Sequence, residues 1–156
     1  MTKLKKIFIL PGLFLFFLSC GYTPIFSKRD VNFSIENIKF LGNKDVKEKI
    51  NQALSIYKNK PGKTKQISLI ITSLKNITIV SKNSKGEAQT NKISVDVNVK
   101  IILAENRIVD KNFSKSSVYD IIDRKSEQKL IENKLIEDLS SEIAQQIILE
   151  ILENTK

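Results

Sequence analysis

Few side chains in this chain are suited to chemistry. Its 156 residues include no histidine and a single cysteine, Cys20. That removes Ser-His and Cys-His nucleophilic pairs and every metal set that needs an imidazole. Asp120 and Asp123 are a close carboxylate pair, a residue type that serves general acid/base work. They fall between a strand pattern and a helix pattern, where solvated turn residues are the ordinary occupants. Gly21, Gly42, Gly62 and Gly86 stand alone, so no glycine-rich phosphate loop exists. No catalytic residue, no metal site and no cofactor is expected. The chain reads as a binding or structural protein rather than an enzyme.

Cys20 remains to be explained. Lys3, Lys5 and Lys6 open the chain, and the apolar run Ile7 to Leu18 follows, broken by Pro11-Gly12. A bilayer span needs about 20 apolar residues, and this run is shorter. Its layout suits a secretory signal, and the Pro-Gly break argues against a rigid spanning helix. The segment "FLSC", Phe17 to Cys20, resembles a bacterial lipobox. In that motif a small residue precedes a cysteine whose sulfur takes a diacylglycerol and whose freed amine is acylated. Ser19 fits, whereas Phe17 and Leu18 depart from the favoured leucine and small residue. The competing readings are a free thiol or a transmembrane anchor. A lone cysteine cannot close an internal disulfide. Lipidation gives it a use, and stable anchoring takes at least two acyl chains. Residues 1–19 are expected to be a signal peptide, Cys20 the lipid attachment site, and residues 20–30 a tether. Gly21 rather than Asp after the cysteine favours the outer membrane by the lipoprotein sorting rule.

The formal charge is +9, and it falls to +6 when the three leader lysines leave with no acidic residue. A basic balance raises the possibility of nucleic acid. The excess is lysine, with only Arg29, Arg107 and Arg124 as arginines, and no aromatic-basic platform for bases is present. Nucleic acid is therefore not an expected partner. Anionic lipid is the better one for an exported, tethered protein.

The remaining chain, 31–156, has the length of one domain. Val31 to Phe40 alternates through Val31, Phe33 and Ile35, then shifts to Ile38 and Phe40, which predicts a strand with a bulge. Gly42-Asn43 can end it and cap a helix. Val46, Ile50, Leu54 and Tyr57 predict an amphipathic helix over Lys44 to Tyr57, closed by Pro61-Gly62. Gln66 to Val80 puts Ile67, Leu69, Ile71, Ile77 and Ile79 on one strand face. After a polar hairpin loop, Lys92 to Leu103 alternates strictly, with Ile93, Val95, Val97, Val99, Ile101 and Leu103 facing one way. That is the mark of a half-buried antiparallel strand. Ile108 to Tyr119 gives a more polar strand carrying Val109, Phe113 and Tyr119. A long helix follows, with Ser126 as its cap, Glu127 in its first turn, and an apolar stripe from Leu130 and Ile131 to Ile151. The fold class is α+β: a four-stranded, mostly antiparallel sheet in the order βαβββα, with two helices on its one apolar face. The other sheet face would be polar and open.

Three stretches carry a family resemblance. "CGYTPIF", Cys20 to Phe26, "GEAQTNKISVDVNVKIIL", Gly86 to Leu103, and Ser116 to Ile151 with its Ala-Gln-Gln-Ile segment, are similar in order and spacing to the LPS-assembly lipoprotein (LptE) family in its alphaproteobacterial form. The resemblance implies an outer-membrane lipoprotein, anchored on the periplasmic side, that sits as a plug and assembly factor inside the large LPS-assembly β-barrel protein (LptD-like). It also implies lipopolysaccharide as a ligand, with no bond made or broken. The alternative is an unrelated structural or adhesive outer-membrane lipoprotein without a barrel partner. A lipoprotein hydrolase is a third class, disfavoured by the absent histidine.

Meander topology adds one candidate site. The loop Ser81 to Thr90 and the segment Tyr119 to Lys125 must lie at the same end of the sheet. That gathers Lys82, Lys85, Arg124 and Lys125 where they can meet lipid A phosphates, with Arg124 suited to bidentate contact. The bland reading is a solvated loop diluted by Glu87, Asp120 and Asp123. If a helix crosses over between the first two strands in parallel, the Cys20 end lies at the opposite end.

Overall fold

The computed structural model describes residues 31–104 and 107–155. The expected signal peptide, Cys20 and tether lie outside the described residues. The elements run β1 (Phe33–Gly42), α1 (Lys44–Ser55), β2 (Lys65–Lys82), β3 (Ala88–Ile102), β4 (Ile108–Asp120) and α2 (Lys125–Asn154). They form the predicted βαβββα order, with the sheet laid out β1-β2-β3-β4. The sheet is mixed: β1 and β2 are parallel, and the other two pairings are antiparallel. The expected bulge in β1 falls between Ile35 and Asn37, and it returns Ile38 and Phe40 to the face that Phe33 and Ile35 use.

β3 behaves as its alternation dictates. Ile93, Val95, Val97, Val99 and Ile101 are all buried, and Ile67, Leu69 and Ile71 of β2 lie beside them. Both helices cover this face, through Val46, Ile50 and Leu54 of α1 and Ile143, Ile147 and Ile151 of α2. The lengths explain the division of labour. At about 1.5 Å per residue, α1 spans about 18 Å and α2 about 45 Å. α2 therefore runs along nearly the whole of β4, whereas α1 roofs only part of β2.

A matched polar register fixes α2 over β4. Lys111, Lys115 and Tyr119 recur every fourth residue of β4, about 13 Å apart, on its helix-facing side. Their partners on α2 are Glu150 at 3.0 Å, Glu142 at 3.0 Å and Glu132 at 2.8 Å. Eight and ten helical residues separate these glutamates, about 12 and 15 Å of rise, so strand and helix stay in step. At its far end α2 meets cations from elsewhere in the chain. Arg107 Nη2 donates to the Asn154 carbonyl at 2.7 Å, and Lys65 Nζ donates to the Thr155 carbonyl. Both satisfy terminal carbonyls and complement the helix dipole.

Three local expectations need correction. α1 ends at Ser55, short of Tyr57 and of Pro61-Gly62. Tyr57 leaves the helix because its carbonyl accepts from Ile35 N–H at 2.9 Å and its ring stacks on Phe33 with centroids 5.4 Å apart. The N-cap of α2 is Arg124, not Ser126. No side chain caps it directly; Gln128 reaches back instead, its Oε1 accepting from Ile122 N–H at 3.0 Å. Finally, Ile77 and Ile79 share the helix-side face of β2 with Ile71 but are exposed, and so are Leu130 and Ile131 at the start of α2. The sheet outruns its roof at this end.

The boundary of the roof is built in detail. Gly42 has φ +103° and closes β1 beside Ser73. A Cβ there would sit 2.0 Å from the Ser73 carbonyl oxygen, so only glycine fits. Asn43 then caps α1, its Oδ1 accepting from the Asp45 and Val46 amides at 3.1 and 3.5 Å, while its own N–H donates to Ser73 Oγ at 3.1 Å. One step further along β2, Lys75 meets Asp45 at 3.1 Å.

Candidate functional site

The end of the sheet beyond this boundary carries the four predicted cations. The β2–β3 loop is shorter than expected, only residues 83–87, because both strands continue into the polar segment. Asn83 organises it. Its Oδ1 accepts from the Lys85 and Glu87 amides at 2.9 and 3.0 Å, and its Nδ2 donates to the Glu87 carboxylate at 2.8 Å. Gly86 supplies the turn, at φ +84°. The Glu87 carboxylate is thus held by an amide, and Lys82 and Lys85 make no ion pair among the described residues.

The second segment reaches the same end. Thr90 pairs with Ser81 on one side and Asp120 on the other, and Ile121 N–H donates to the Gln89 carbonyl at 2.9 Å. Topology therefore brings Lys82 and Lys85 to the same sheet end as Arg124 and Lys125. It does not leave all four equally available. Arg124, the expected bidentate group, is engaged by Glu127 Oε1 at 2.5 Å. Lys125 occupies the first helical position of α2, where the dipole disfavours a cation. Asp120 and Asp123 are exposed, and Asp120 accepts from Thr90 Oγ1 at 3.3 Å. β1 begins at the opposite end, Phe33 pairing with Lys65.

Sequence reasoning did not anticipate the apolar residues that accompany these cations. Ile77, Ile79, Val80, Val118 and Ile121 are exposed here. The signal was present: Ser73 and Lys75 interrupt the apolar alternation of β2 where the roof stops.

The open face of the sheet forms a second surface, polar along its centre, with Leu41, Leu74, Ile108 and Val118 also exposed on it. A shallow depression of about 370 Å³ is lined there by Thr72, Leu74, Asp96, Asn98, Asn112 and Ser114. Asn98 Nδ2 donates to Asp110 at 2.6 Å and to Asn112 at 2.9 Å, and Ser114 Oγ donates to Asp96 at 2.5 Å. These rows of hydroxyl, amide and carboxylate groups leave the face well solvated. Among the described residues there is no group of three or more Cys, His, Asp or Glu arranged to hold a metal ion. No described helix is long and apolar enough to cross a membrane.

No protein-family model matches the chain, and no curated protein matches it. Solved structures do. Rare lipoprotein B from Shewanella oneidensis superposes with a TM-score of 0.55 at 11% identity, covering 78% of this chain and 100% of that one. A lipoprotein B from Nitrosomonas europaea gives 0.57 at 14% identity, covering 82% and 90%. A minor lipoprotein from Acinetobacter baumannii gives 0.51 at 11% identity, covering 75% and 95%. At these identities the likeness is one of fold: the chain has the fold of these bacterial lipoproteins.

Proposed function

We propose that this protein is an outer-membrane lipoprotein, anchored through Cys20, that plugs and helps assemble an LPS-assembly β-barrel and assists lipopolysaccharide on its way to the outer leaflet. It acts by binding and makes or breaks no bond. The observation that carries the reading is the polarity of the fold from end to end. β1 enters at one end of the sheet, and Lys82, Lys85, Arg124 and Lys125 lie at the other. The lysine at the start of α2 works against the helix dipole, so folding stability does not account for its charge. Exposed isoleucines beside the cations suit a ligand with both phosphate and acyl groups. The solvated open face suits the polar lumen of a large barrel. The shared fold with solved bacterial lipoproteins and the lipobox-like segment Phe17 to Cys20 support the anchoring part.

The experiment places a photo-crosslinking side chain at Asn98, at the centre of the open face, in the membrane-bound protein. A single large β-barrel protein is the expected adduct. No adduct, or a mixture of unrelated proteins, would favour the alternative of a structural lipoprotein without a barrel partner. The ligand is checked separately with purified lipopolysaccharide. Changing Lys82, Lys85, Arg124 and Lys125 together to Ser should weaken binding, and added salt should weaken binding by the parent protein, because exposed charges are screened.

A further inference from the structure

The outer edge of β2 changes character at Ser73. From Lys65 to Ser73 it is paired with β1; from Leu74 to Lys82 it has no strand partner among the described residues. Its inner edge stays paired with β3 as far as Lys82. The open lane is nine residues long, about 30 Å at strand rise. It continues the track of β1, which leaves the sheet at Gly42 because φ +103° turns the chain into α1.

The geometry points to this lane as a binding site for an extended strand of a second polypeptide, added in the place where β1 stops. Free strand edges template pairing, and proteins blunt them with proline, lysine or inward charge, bulges, very short edges or a covering element. This edge has no proline. Its one charge on the helix side, Lys75 at the start of the lane, is paired with Asp45. Its irregularities, register shifts between Ile79 and Ser81 and between Ser81 and Lys82, fall at the hairpin end of the lane. Ile77 and Ile79 stand on the helix side of the lane, 44% and 55% exposed, ready to pack against apolar side chains of an incoming strand. At the far end Lys82 and Lys85 make no ion pair among the described residues, so the complementary strand carries an acidic residue there.

A second copy of this chain does not fit the lane well. In a two-fold antiparallel arrangement each β2 brings its own 83–87 loop, which meets Gly42 and Asn43 of the other copy. About six residues of overlap remain at strand rise, centred beside the Val80 bulge. An incoming strand that does not end in this hairpin can use the full lane. The inference holds whether or not the partner is a barrel.

The test uses the full chain, purified in mild detergent, and a synthetic nine-residue peptide of alternating valine and threonine ending in glutamates. Binding is followed by titration, and amide hydrogen exchange is read across β2. Alternate amides between Leu74 and Lys82 should become at least tenfold more protected at saturation, with no new protection on β4. Ile77→Lys combined with Ile79→Lys should weaken binding at least tenfold. Val118→Lys, an equally exposed apolar position on β4, the strand at the opposite edge of the sheet, should leave it unchanged. An equal loss with Val118→Lys, or saturation without protection of the edge amides, would overturn the proposal. So would edge amides already protected without peptide, or a dimer in sedimentation that the two lysines abolish.

Discussion

Two halves of β2 share one strand, one face pattern and one inner neighbour, yet differ in everything else. From Lys65 to Ser73 the strand is paired with β1, from Ser68 onward also with β3, and Ile67, Leu69 and Ile71 are buried. From Leu74 to Lys82 it is paired, among the described residues, on one edge only, and Ile77 and Ile79 on that same face are exposed. Hydrophobic burial stabilises roughly in proportion to the area removed from water, at about 25 cal/mol per Å². The first half is therefore where folding stability resides. The second half contributes little to it and is left available for binding.

The largest effect should come from Val97→Asp. Val97 pairs with Ser73 and is 2% exposed, so the substitution places a carboxylate in the core at the boundary itself. An unpaired buried charge costs several kcal/mol against a total stability of about 5–15 kcal/mol. Circular dichroism should show an unfolded or molten chain. Asp96→Ala, one residue away on the open face, loses the Ser114 bond and should melt close to the parent. Similar losses in the two variants would show that the faces are misassigned.

Ile71→Ala against Ile79→Ala addresses the two halves directly. The first empties a fully buried site and should cost about 2–5 kcal/mol, and the second should fall within about 0.5 kcal/mol. Equal costs in chemical denaturation would erase the distinction. Gly42→Ala tests the boundary. A left-handed backbone and a clash with the Ser73 carbonyl should together cost about 1–3 kcal/mol or shift the start of α1.

The smallest effect concerns Tyr119. Burial, reinforced by its hydrogen bond to Glu132, holds the phenol above its ordinary value near 10. The folded state prefers the protonated form, so this contribution is complete below about pH 10 and is lost as pH rises through the higher folded value. Absorbance titration should show phenolate forming above pH 10. Tyr119→Phe should cost about 1 kcal/mol at neutral pH and remove that part of the alkaline transition.

Lys82, Lys85, Arg124 and Lys125 were legible as a group because strand direction alternates through a meander, which fixes the end each loop occupies. Their availability was not legible. Arg124 is taken up by Glu127 only because α2 starts at Lys125 and presents that glutamate in its first turn.

The residues of β3 show what sequence settles alone. A strict period of two, from Ile93 to Ile101, needs only local backbone geometry to choose a face, and every apolar member is buried. The helix periods of α1 and α2 and the bulge in β1 follow from the same local rule. Periodicity names the side a residue faces; it does not say whether anything covers that side. Cover depends on elements distant in the chain and on their lengths. An 18-residue strand reaches about 60 Å, whereas the 12-residue helix above it reaches about 18 Å. Tertiary structure therefore decided that Ile71 is core and Ile79 is surface. It also decided that Tyr57 leaves its helix for Phe33 and that β2 keeps nine residues of open edge.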